Sequence, residues 1–385
     1  MTLPFLDLSG EPEARGRAHG AALATSIRAN VETYLRRFEA SGLDRDAALA
    51  GGAEWDRAIT AANPEYAAEM HGIAAGAELP RPVLALLNAR YETAFTLFGK
   101  DARAADRAAG RPATEPSGCT TAGLLPEITA DGGCYLLQNW DWLADVHGHC
   151  VVIRQRGTDH PDMLYFTEAG IVGGKMGLNA EGIGLVENGL ACDRDGANPF
   201  EKPFHMRCRE VLQGRTLHDA MLPVVATRRV CSANFMVGDA GGEIVDLETS
   251  PDHVTTLHPR DGVLAHSNHF LTAGHGVSQM ERIAPNTLFR AARLERLLRA
   301  EAKAAGGRID RDGMERALSD RLSSPNALCR TPDTRLPRAR QTMTVAAFVL
   351  DLGRREMWVC DGPPSPGAFR RYGLAEDGTA QAAAE

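Results

Sequence analysis

The chain has 385 residues, of which 44% are hydrophobic and 24% are charged, and its formal net charge is −8 at pH 7. A chain of this length can bury a large core, as one big domain or two ordinary ones. Its mildly acidic balance excludes a general attraction to nucleic acid or to anionic membranes, and it has no apolar run of the ~18–20 residues that a membrane span needs.

The N-terminal third is predicted to be mostly helical. Residues 1–7 lack the basic and apolar regions of a signal peptide, so we expect a cytoplasmic protein. Residues 15–20 (RGRAHG) are interpreted as a turn. Apolar residues at helical spacing then predict four helices, over 21–38, 44–62, 64–77 and 80–97. Residues 100–116 are polar and rich in Ala, Gly and Pro, which predicts an exposed, mobile loop that ends at Gly118-Cys119.

From residue 119 the apolar period changes from helical to strand-like. Short strands are predicted over 119–128, 134–142, 149–156, 162–169, 171–177 and 183–188. Further predicted elements are helices over 201–212 and 216–226, strands over 232–238, 243–248, 253–257 and 263–268, helices over 278–304 (broken near Pro285) and 311–322, and a hairpin of 342–351 with 356–361. Helices, then antiparallel strands, then helices predict a layered α+β domain. The tail from Ala375 is expected to be frayed.

A predicted hairpin places a thiol near a carboxylate. Thr129-Ala130-Asp131-Gly132-Gly133 lies between the first two strand-like runs and is typical of a hairpin turn. If the chain folds back there, Cys119 lies roughly opposite Asp141. A thiol and a carboxylate at one end of a strand pair suit a catalytic site.

Cys119 needs a base to become a good nucleophile, because a free thiol has a pKa near ~8.5. The chain has twelve histidines, and local sequence places none of them beside Cys119. If the Gly118–Cys119 bond is cut, the new α-amino group has a pKa near ~8 and can act as the base. The loop before Cys119 then makes sense as an accessible processing segment.

Two motifs carry a family resemblance. Gly-Cys-Thr-Thr-Ala at 118–122, followed by Gln-Asn-Trp-Asp-Trp at 138–142, resembles the acyl-coenzyme A:6-aminopenicillanate acyltransferase family, the C45 group of self-processing N-terminal-nucleophile hydrolases. Shorter matches lie at 15–20, 87–92, 232–235, 267–270 and 344–351. The resemblance implies a four-layer αββα sandwich: one composite domain, cut into segments 1–118 and 119–385 that stay associated.

The resemblance also implies roles for individual residues. The nucleophile falls on Cys119, and the aspartate that supports its amino group falls on Asp141. The oxyanion-hole amide is assigned to Asn234, with Asn139 and Asn268 as competing donors. The remaining candidates for pocket or supporting roles are Trp140, His269 and Arg90. The spacing from Cys119 to Asp141 is longer than in the fungal enzymes, which indicates a longer hairpin here.

Each candidate also has a simpler structural interpretation. Cys119 could be a buried structural thiol, Asp141 a turn aspartate, and Asn234 a strand-end residue bonded to its own backbone. His269 could be a hydrogen-bonded structural histidine, and Arg90 a helix-packing residue. The motif at 147–150 (HGHC) lacks a second ligand pair, and the cysteines include no C-x-x-C pair, so we expect free thiols, no metal and no cofactor.

The predicted function is hydrolysis of a small N-acyl amide through a thioester on Cys119. The first alternative is an N-acyltransferase that uses acyl-coenzyme A, and the second is an uncleaved, non-catalytic protein that binds small molecules. A third is a thiol protease in which His266 or His269 acts as the base. The expected partner is a small amide or acyl donor, not nucleic acid or a membrane; homo-oligomers are left open.

Overall fold

Two β-sheets lie face to face in the computed structural model, which describes residues 3–97 and 118–375. In spatial order, the eight-stranded sheet contains β1 (Phe5–Leu8), β4 (Cys150–Gln155), β5 (Met163–Glu168), β6 (Met176–Asn179), β7 (Ile183–Gly189), β8 (Ala233–Asp239), β9 (Glu243–Thr249) and β10 (Val254–Leu257). The six-stranded sheet contains β11 (Val263–His266), β2 (Thr120–Leu124), β3 (Tyr135–Leu143), β12 (Thr342–Asp351), β13 (Glu356–Asp361) and β14 (Arg370–Gly373). Neighbouring strands are antiparallel except β1 and β4, which are parallel.

Helices cover the outer faces of the sheets. They are α1 (Pro12–Ala22), α2 (Ala24–Ala40), α3 (Arg45–Ala62), α4 (Pro64–Gly76), α5 (Arg81–Asn88), α6 (90–97), α7 (Phe204–Gln213), α8 (Leu217–Val225), α9 (Met280–Ile283), α10 (Thr287–Ala304) and α11 (Arg311–Leu318). None of those in the described ranges is both long and apolar enough to cross a membrane.

The layers are held together by apolar packing. Between the sheets, Gly123 on β2 lies against Met236 and Ile244 of the facing sheet, where a side chain would collide. On the far side of the six-stranded sheet, leucines of α10 and α11 such as Leu294 and Leu318 join a buried cluster with that sheet. On the far side of the eight-stranded sheet lie α7 and the N-terminal helices. The predicted four-layer αββα sandwich is therefore confirmed.

The turn predicted over residues 15–20 is wrong, because these residues belong to α1. The helix packs against α4 at backbone contact distance. A Cβ added to Gly16 would lie 2.0 Å from the Glu69 carbonyl oxygen, and one added to Gly72 would lie 2.2 Å from that of Glu13. The glycines let the two helices approach closely. Because they replace apolar side chains at the contact, the sequence of α1 shows little apolar periodicity.

Other element boundaries also differ from the sequence prediction. The strand predicted over 119–128 ends at Leu124, since the following residues turn toward Ile309, whose N–H donates to the Ile128 carbonyl at 2.8 Å. The strand predicted over 171–177 is formed only from Met176 onward. By contrast, the helix break near Pro285 and the final hairpin of β12 and β13 are confirmed. Strands β1 and β14 were not predicted.

Residues on either side of position 118 contribute to one core. Strand β1 pairs with β4, and Tyr91 on α6 donates a hydrogen bond to the Ser232 carbonyl at 2.6 Å. Asn30 on α2 donates to the Ala169 carbonyl at 3.0 Å. The loop predicted over 100–116 and the tail after residue 375 lie outside the described residues.

Candidate active site

Cys119 directly precedes strand β2 and is only 5% exposed. Its side chain lines a pocket between the sheets and α6. The other lining residues are aromatic (Tyr91, Phe95, Trp140 and Trp142), polar or charged (Arg90, Glu187 and Asn268), and the backbone of Gly189. A thiol beside an aromatic wall and a few polar groups is the composition expected of a small-molecule site.

The hairpin register differs by one residue from the predicted pairing. Thr120 pairs with Asn139, so continuing the ladder puts Cys119 opposite Trp140 and not Asp141. Because neighbouring side chains of a strand face opposite sides, Asp141 points away from the pocket, toward the helices. The two residues are nevertheless close, through the backbone of Asp141: the Cys119 Sγ atom lies 3.9 Å from the Asp141 carbonyl oxygen.

The Asp141 carboxylate is fully buried but only partly hydrogen-bonded. Thr344 donates a hydrogen bond to its Oδ1 at 2.6 Å, and the Arg330 Nε atom lies 3.5 Å from Oδ2. Within the described residues, Oδ2 accepts no hydrogen bond. Burial raises the pKa of Asp141 to about 6, although Arg330 and Arg290 oppose the rise. Oδ2 is therefore held by the ion pair with Arg330 and has no close hydrogen bond within the described residues.

Arg290, which was not predicted from the sequence, holds the backbone around Cys119. Its Nη1 donates to the Gly118 carbonyl at 2.7 Å, to Thr120 Oγ1 at 2.6 Å and to the Cys119 carbonyl. Its Nη2 donates to Asn268 Oδ1 at 2.6 Å. A cation bound to the Gly118 carbonyl oxygen polarises that carbonyl and stabilises negative charge that develops on it.

One pattern in the sequence could have drawn attention to Arg290. It lies four and eight residues before Leu294 and Leu298 on α10, and all three are buried. An arginine on the apolar stripe of a helix is expected to have a buried partner. Burial lowers the pKa of Arg290 to about 10, so the side chain remains a cation at neutral pH.

Glycine is the only residue type that fits at position 118 without a shift of the neighbouring side chains. A Cβ added there would lie 2.3 Å from Arg290 Nη2 and 3.0 Å from Asn268 Oδ1. The glycine thus lets a guanidinium and an amide approach the carbonyl that precedes Cys119.

The three candidate asparagines occupy different places. Asn268 lines the pocket, with its amide group donating to the Gly189 carbonyl at 2.8 Å. Asn234 is not among the lining residues; its amide donates to Asp246 Oδ1 at 2.6 Å, and its Oδ1 accepts from Asn188 at 2.9 Å. Asn139 donates to the Leu318 and Leu328 carbonyls, toward the helices. Of the three, the structure brings only Asn268 to the pocket beside Cys119.

Some of the remaining candidates also line the pocket and others do not. Trp140 and Arg90 line the pocket, whereas His269 does not: its Nδ1 lies 3.1 Å from Thr287 Oγ1. His266 lies 2.8 Å from Glu248 and 2.8 Å from the Ser267 carbonyl. No histidine is among the residues that line this pocket, so the Cys–His alternative has no base in contact with the thiol there.

A cluster of buried charges lies behind the pocket. The Glu168 carboxylate binds Arg90, and it binds Lys175 at 2.5 Å. The Lys175 ammonium lies 3.3 Å from the ring centre of Trp140, and the Arg90 guanidinium lies 4.6 Å from that of Trp142. These contacts fix the aromatic wall, because charged groups buried this deeply are held by their partners.

The electrostatic environment keeps the Cys119 thiol protonated. Burial raises its pKa, and the nearby carboxylates of Glu187 and Asp141 raise it further. Burial likewise raises the pKa of Glu187 to about 7. A neutral thiol is a poor nucleophile, so this site needs a base that removes the proton during reaction.

Comparisons with known proteins identify the family of this chain. Residues 128–366, more than half of the chain, match the family model described as acyl-coenzyme A:6-aminopenicillanic acid acyl-transferase. The chain is 28% identical over 320 residues to the acyl-coenzyme A:6-aminopenicillanic-acid-acyltransferase 40 kDa form of Emericella nidulans, with 82% of this chain and 76% of the relative covered.

Two solved structures are also similar. One is the Caenorhabditis elegans ortholog of N-acylethanolamine-hydrolyzing acid amidase, with 15% identity and a TM-score of 0.46 over 61% of this chain and 93% of that one. The other is a mutant of the conjugated bile acid hydrolase of Clostridium perfringens, with 13% identity and a TM-score of 0.45 over 63% of this chain and 89% of that one.

Proposed function

The chain belongs to the acyl-coenzyme A:6-aminopenicillanic acid acyl-transferase family, and from that premise we propose that it is a self-processing cysteine amidohydrolase. It first cuts its own Gly118–Cys119 bond and then cleaves small N-acyl amides through a thioester on Cys119. Both reactions are the same chemistry, attack by one thiol on an amide carbonyl, applied first to the chain and then to a substrate.

In self-processing, Cys119 Sγ adds to the Gly118 carbonyl carbon. The carbon–nitrogen bond then breaks, and the Cys119 nitrogen takes up the proton that the thiol has lost. This step frees the Cys119 α-amino group and leaves Gly118 held as a thioester on Sγ. Water attacks the thioester and releases the thiol and a Gly118 carboxylate. Arg290 donates to the Gly118 carbonyl oxygen at 2.7 Å and stabilises the negative charge that forms there.

In the mature enzyme, the new α-amino group is the base. It takes the proton of the Cys119 thiol as Sγ adds to a substrate carbonyl, and passes that proton to the departing amine. The backbone of β2 lies between the pocket face and the face that carries Asp141. The Cys119 nitrogen, directly before the strand, can therefore interact with Asp141 while the thiol faces the substrate.

The observation that carries this proposal is the arrangement around the Gly118 carbonyl. A buried cation binds its oxygen, the next residue is a cysteine that lines a pocket, and Asp141 Oδ2 nearby accepts no hydrogen bond within the described residues. A structural cysteine would need none of these. An ammonium group formed at Cys119 would add a close hydrogen-bond donor to a carboxylate oxygen that otherwise has the Arg330 ion pair.

A second candidate function is acyl transfer to an amine. It is favoured by the relative from Emericella nidulans, which is named an acyltransferase and covers most of this chain. The two functions share the acylation half-reaction and differ only in whether water or an amine resolves the thioester. Acyl-coenzyme A would then be the acyl donor.

Mass spectrometry after acid quenching tests the proposal. The protein is incubated with an N-acyl amide such as phenylacetyl 4-nitroanilide, and the fragment that begins at Cys119 is weighed before and after treatment with hydroxylamine. We expect an acyl adduct that hydroxylamine removes, and its loss in Cys119→Ala. The control is Cys134→Ala, which removes a different buried cysteine.

The fate of the acyl group separates the two functions. Release as the free acid, unchanged when an amine such as 6-aminopenicillanic acid is added, supports hydrolysis. Transfer to the added amine supports the acyltransferase. An adduct on another residue, or turnover that survives Cys119→Ala, would overturn both.

A further inference from the structure

Glu187 is a buried carboxylate in the pocket beside Cys119 that the proposed mechanism does not use. It lies on β7, is 3% exposed and lines the same pocket as the thiol. Its backbone N–H and carbonyl are both bonded to the side chain of Gln138. Among the described residues, nothing forms a hydrogen bond or ion pair with its carboxylate. Its oxygens are not among the fully buried polar atoms that lack a partner, so the carboxylate faces the open space of the pocket, where a ligand can reach it.

Arg90 presents the complementary group in the same pocket. Its Nη2 binds Glu168, which also binds Lys175 at 2.5 Å, so the two neighbouring cations share Glu168 as their partner. The Arg90 Nε atom is buried and, within the described residues, has no hydrogen-bond partner. The pocket is therefore lined by a carboxylate without a protein partner among the described residues, on Glu187, and by the side chain of Arg90, of which only Nη2 is bound to Glu168.

A hydroxyl group matches this pair better than a charged group does. A hydroxyl can donate to Glu187 and accept from the Arg90 guanidinium, and it is neutral. An ammonium group only donates, and it would lie close to the positive charges of Arg90 and Lys175. A carboxylate only accepts, and it would face Glu187. The aromatic residues of the pocket place an apolar wall beside this pair, which suits an apolar substituent on the same carbon.

We propose that Glu187 and Arg90 form a polar subsite that selects substrates with a hydroxyl group on the carbon next to the scissile carbonyl. This inference rests on the proposed function, because it takes Cys119 as the group that attacks. The subsite is assigned to the acyl side since the amine must leave, and water must enter, before the thioester is resolved. An enclosed subsite suits the part that stays bound.

Matched probes test the subsite. The 4-nitroanilides of mandelic acid, phenylacetic acid and phenylglycine share one ring and carry a hydroxyl, a hydrogen or an ammonium group at the same carbon. We expect the wild type to prefer the mandelyl over the phenylacetyl compound by about tenfold or more in kcat/KM, and over the phenylglycyl compound as well. In Glu187→Leu the first ratio should fall to near one.

The ratio of kcat/KM for two substrates is taken within each variant, so a general loss of activity does not change it. The control is Glu181→Gln, which removes an exposed carboxylate on the turn before β7 that pairs with Arg215; it should keep the wild-type ratio. Because Glu187→Leu could fail to fold, Glu187→Gln is measured beside it, with circular dichroism on both. The amide retains the size of the side chain without the charge, so the preference should shrink.

Calorimetric binding of mandelamide and phenylacetamide separates this inference from the proposed function. Tighter binding of mandelamide that Glu187→Leu abolishes supports the subsite, even if no anilide is cleaved; that result would overturn the proposed function alone. Cleavage of all three anilides at similar kcat/KM, with equal binding of the two amides, would overturn the subsite alone. If Glu187→Leu lowers kcat/KM equally for the mandelyl and the phenylacetyl anilide, Glu187 has a structural role and the inference is overturned.

Discussion

Arg290 is a buried cation surrounded by the carbonyl oxygens of Gly118 and Cys119 and by the Thr120 hydroxyl. Withdrawing a guanidinium from water is expensive, and these acceptors offset the cost only if the backbone stays where it is. The same contacts that stabilise Arg290 therefore fix the bond that is proposed to break. At the scale of single residues, the site depends on how closely Gly118 lets this cation approach.

Gly118→Ala should slow self-processing strongly. The added methyl group would lie 2.3 Å from Arg290 Nη2, so the guanidinium must move away from the scissile carbonyl. Loss of an oxyanion donor typically costs about 10²–10³ in rate. The cut fraction is followed by intact mass against time, with Gly353→Ala as control, where the nearest atom is 3.5 Å away. Cleavage of Gly118→Ala at the wild-type rate would refute the role given to this contact.

Thr344→Val should move the acid limb of the activity profile to higher pH. The pKa of Asp141 is already raised to about 6 by burial, and the 2.6 Å hydrogen bond from Thr344 favours its ionised form. If the ionised carboxylate is required, activity is full above that pKa and is lost as the pH falls through it. Removing the hydroxyl raises the pKa further.

The measurement is kcat/KM against pH for wild type, Thr344→Val and Thr344→Ser. Serine keeps the hydroxyl and should restore the wild-type limb, which a purely structural role of Thr344 would not predict. Superimposable profiles for wild type and Thr344→Val would contradict the assignment.

Helices α1 and α4 cross so closely that glycines replace side chains at the contact. Gly72→Ala should therefore destabilise the protein by about 1–3 kcal/mol or more, because the new methyl group meets the Glu13 carbonyl and not a movable side chain. Gly51→Ala on α3 has nothing within 4 Å and should be neutral or slightly stabilising. Urea unfolding of both variants gives the comparison; equal stability would mean that the helices can separate without cost.

The same crossing shows why some elements could not be predicted from the sequence. Helix α1 has a glycine-rich contact face with little apolar periodicity, and the period is what predicts a helix. The final hairpin, β12 with β13, has strong alternation and a short turn, and it was predicted correctly. The first hairpin was predicted, but its register was not, since the chain between Leu124 and Tyr135 bends to pair with Ile309.

In the candidate site, too, some residues could be predicted from the sequence and others could not. Cys119 and its neighbours were accessible to prediction because they lie on one local hairpin. Glu187 was not, because it reaches the pocket from another element and nothing local to it indicates a site. Arg290 lies on the apolar stripe of α10, which indicates a buried cation, but the sequence does not show that its partner is the Gly118 carbonyl. Asn234 and Asn268 show the limit of motif matching: both lie in matched motifs, but only the position in the fold places one of them in the pocket.

For the molecule as a whole, the two segments should stay together after cleavage. Strand β1 is part of the eight-stranded sheet, and Asn30 and Tyr91 donate to the carbonyls of Ala169 and Ser232 across the cut. Separating the two segments would expose the apolar core that they share to water, which is unfavourable. Size-exclusion chromatography of the processed protein should give one peak that contains both segments, and two peaks only in denaturant. Two peaks under native conditions would contradict a shared core.

The most direct test of the central claim is the intact mass of freshly expressed wild type beside Cys119→Ala. We predict two wild-type fragments, the larger beginning at Cys119, and a single uncut chain for the variant. A single full-length wild-type mass that persists on incubation would contradict self-processing and with it the α-amino group as the catalytic base.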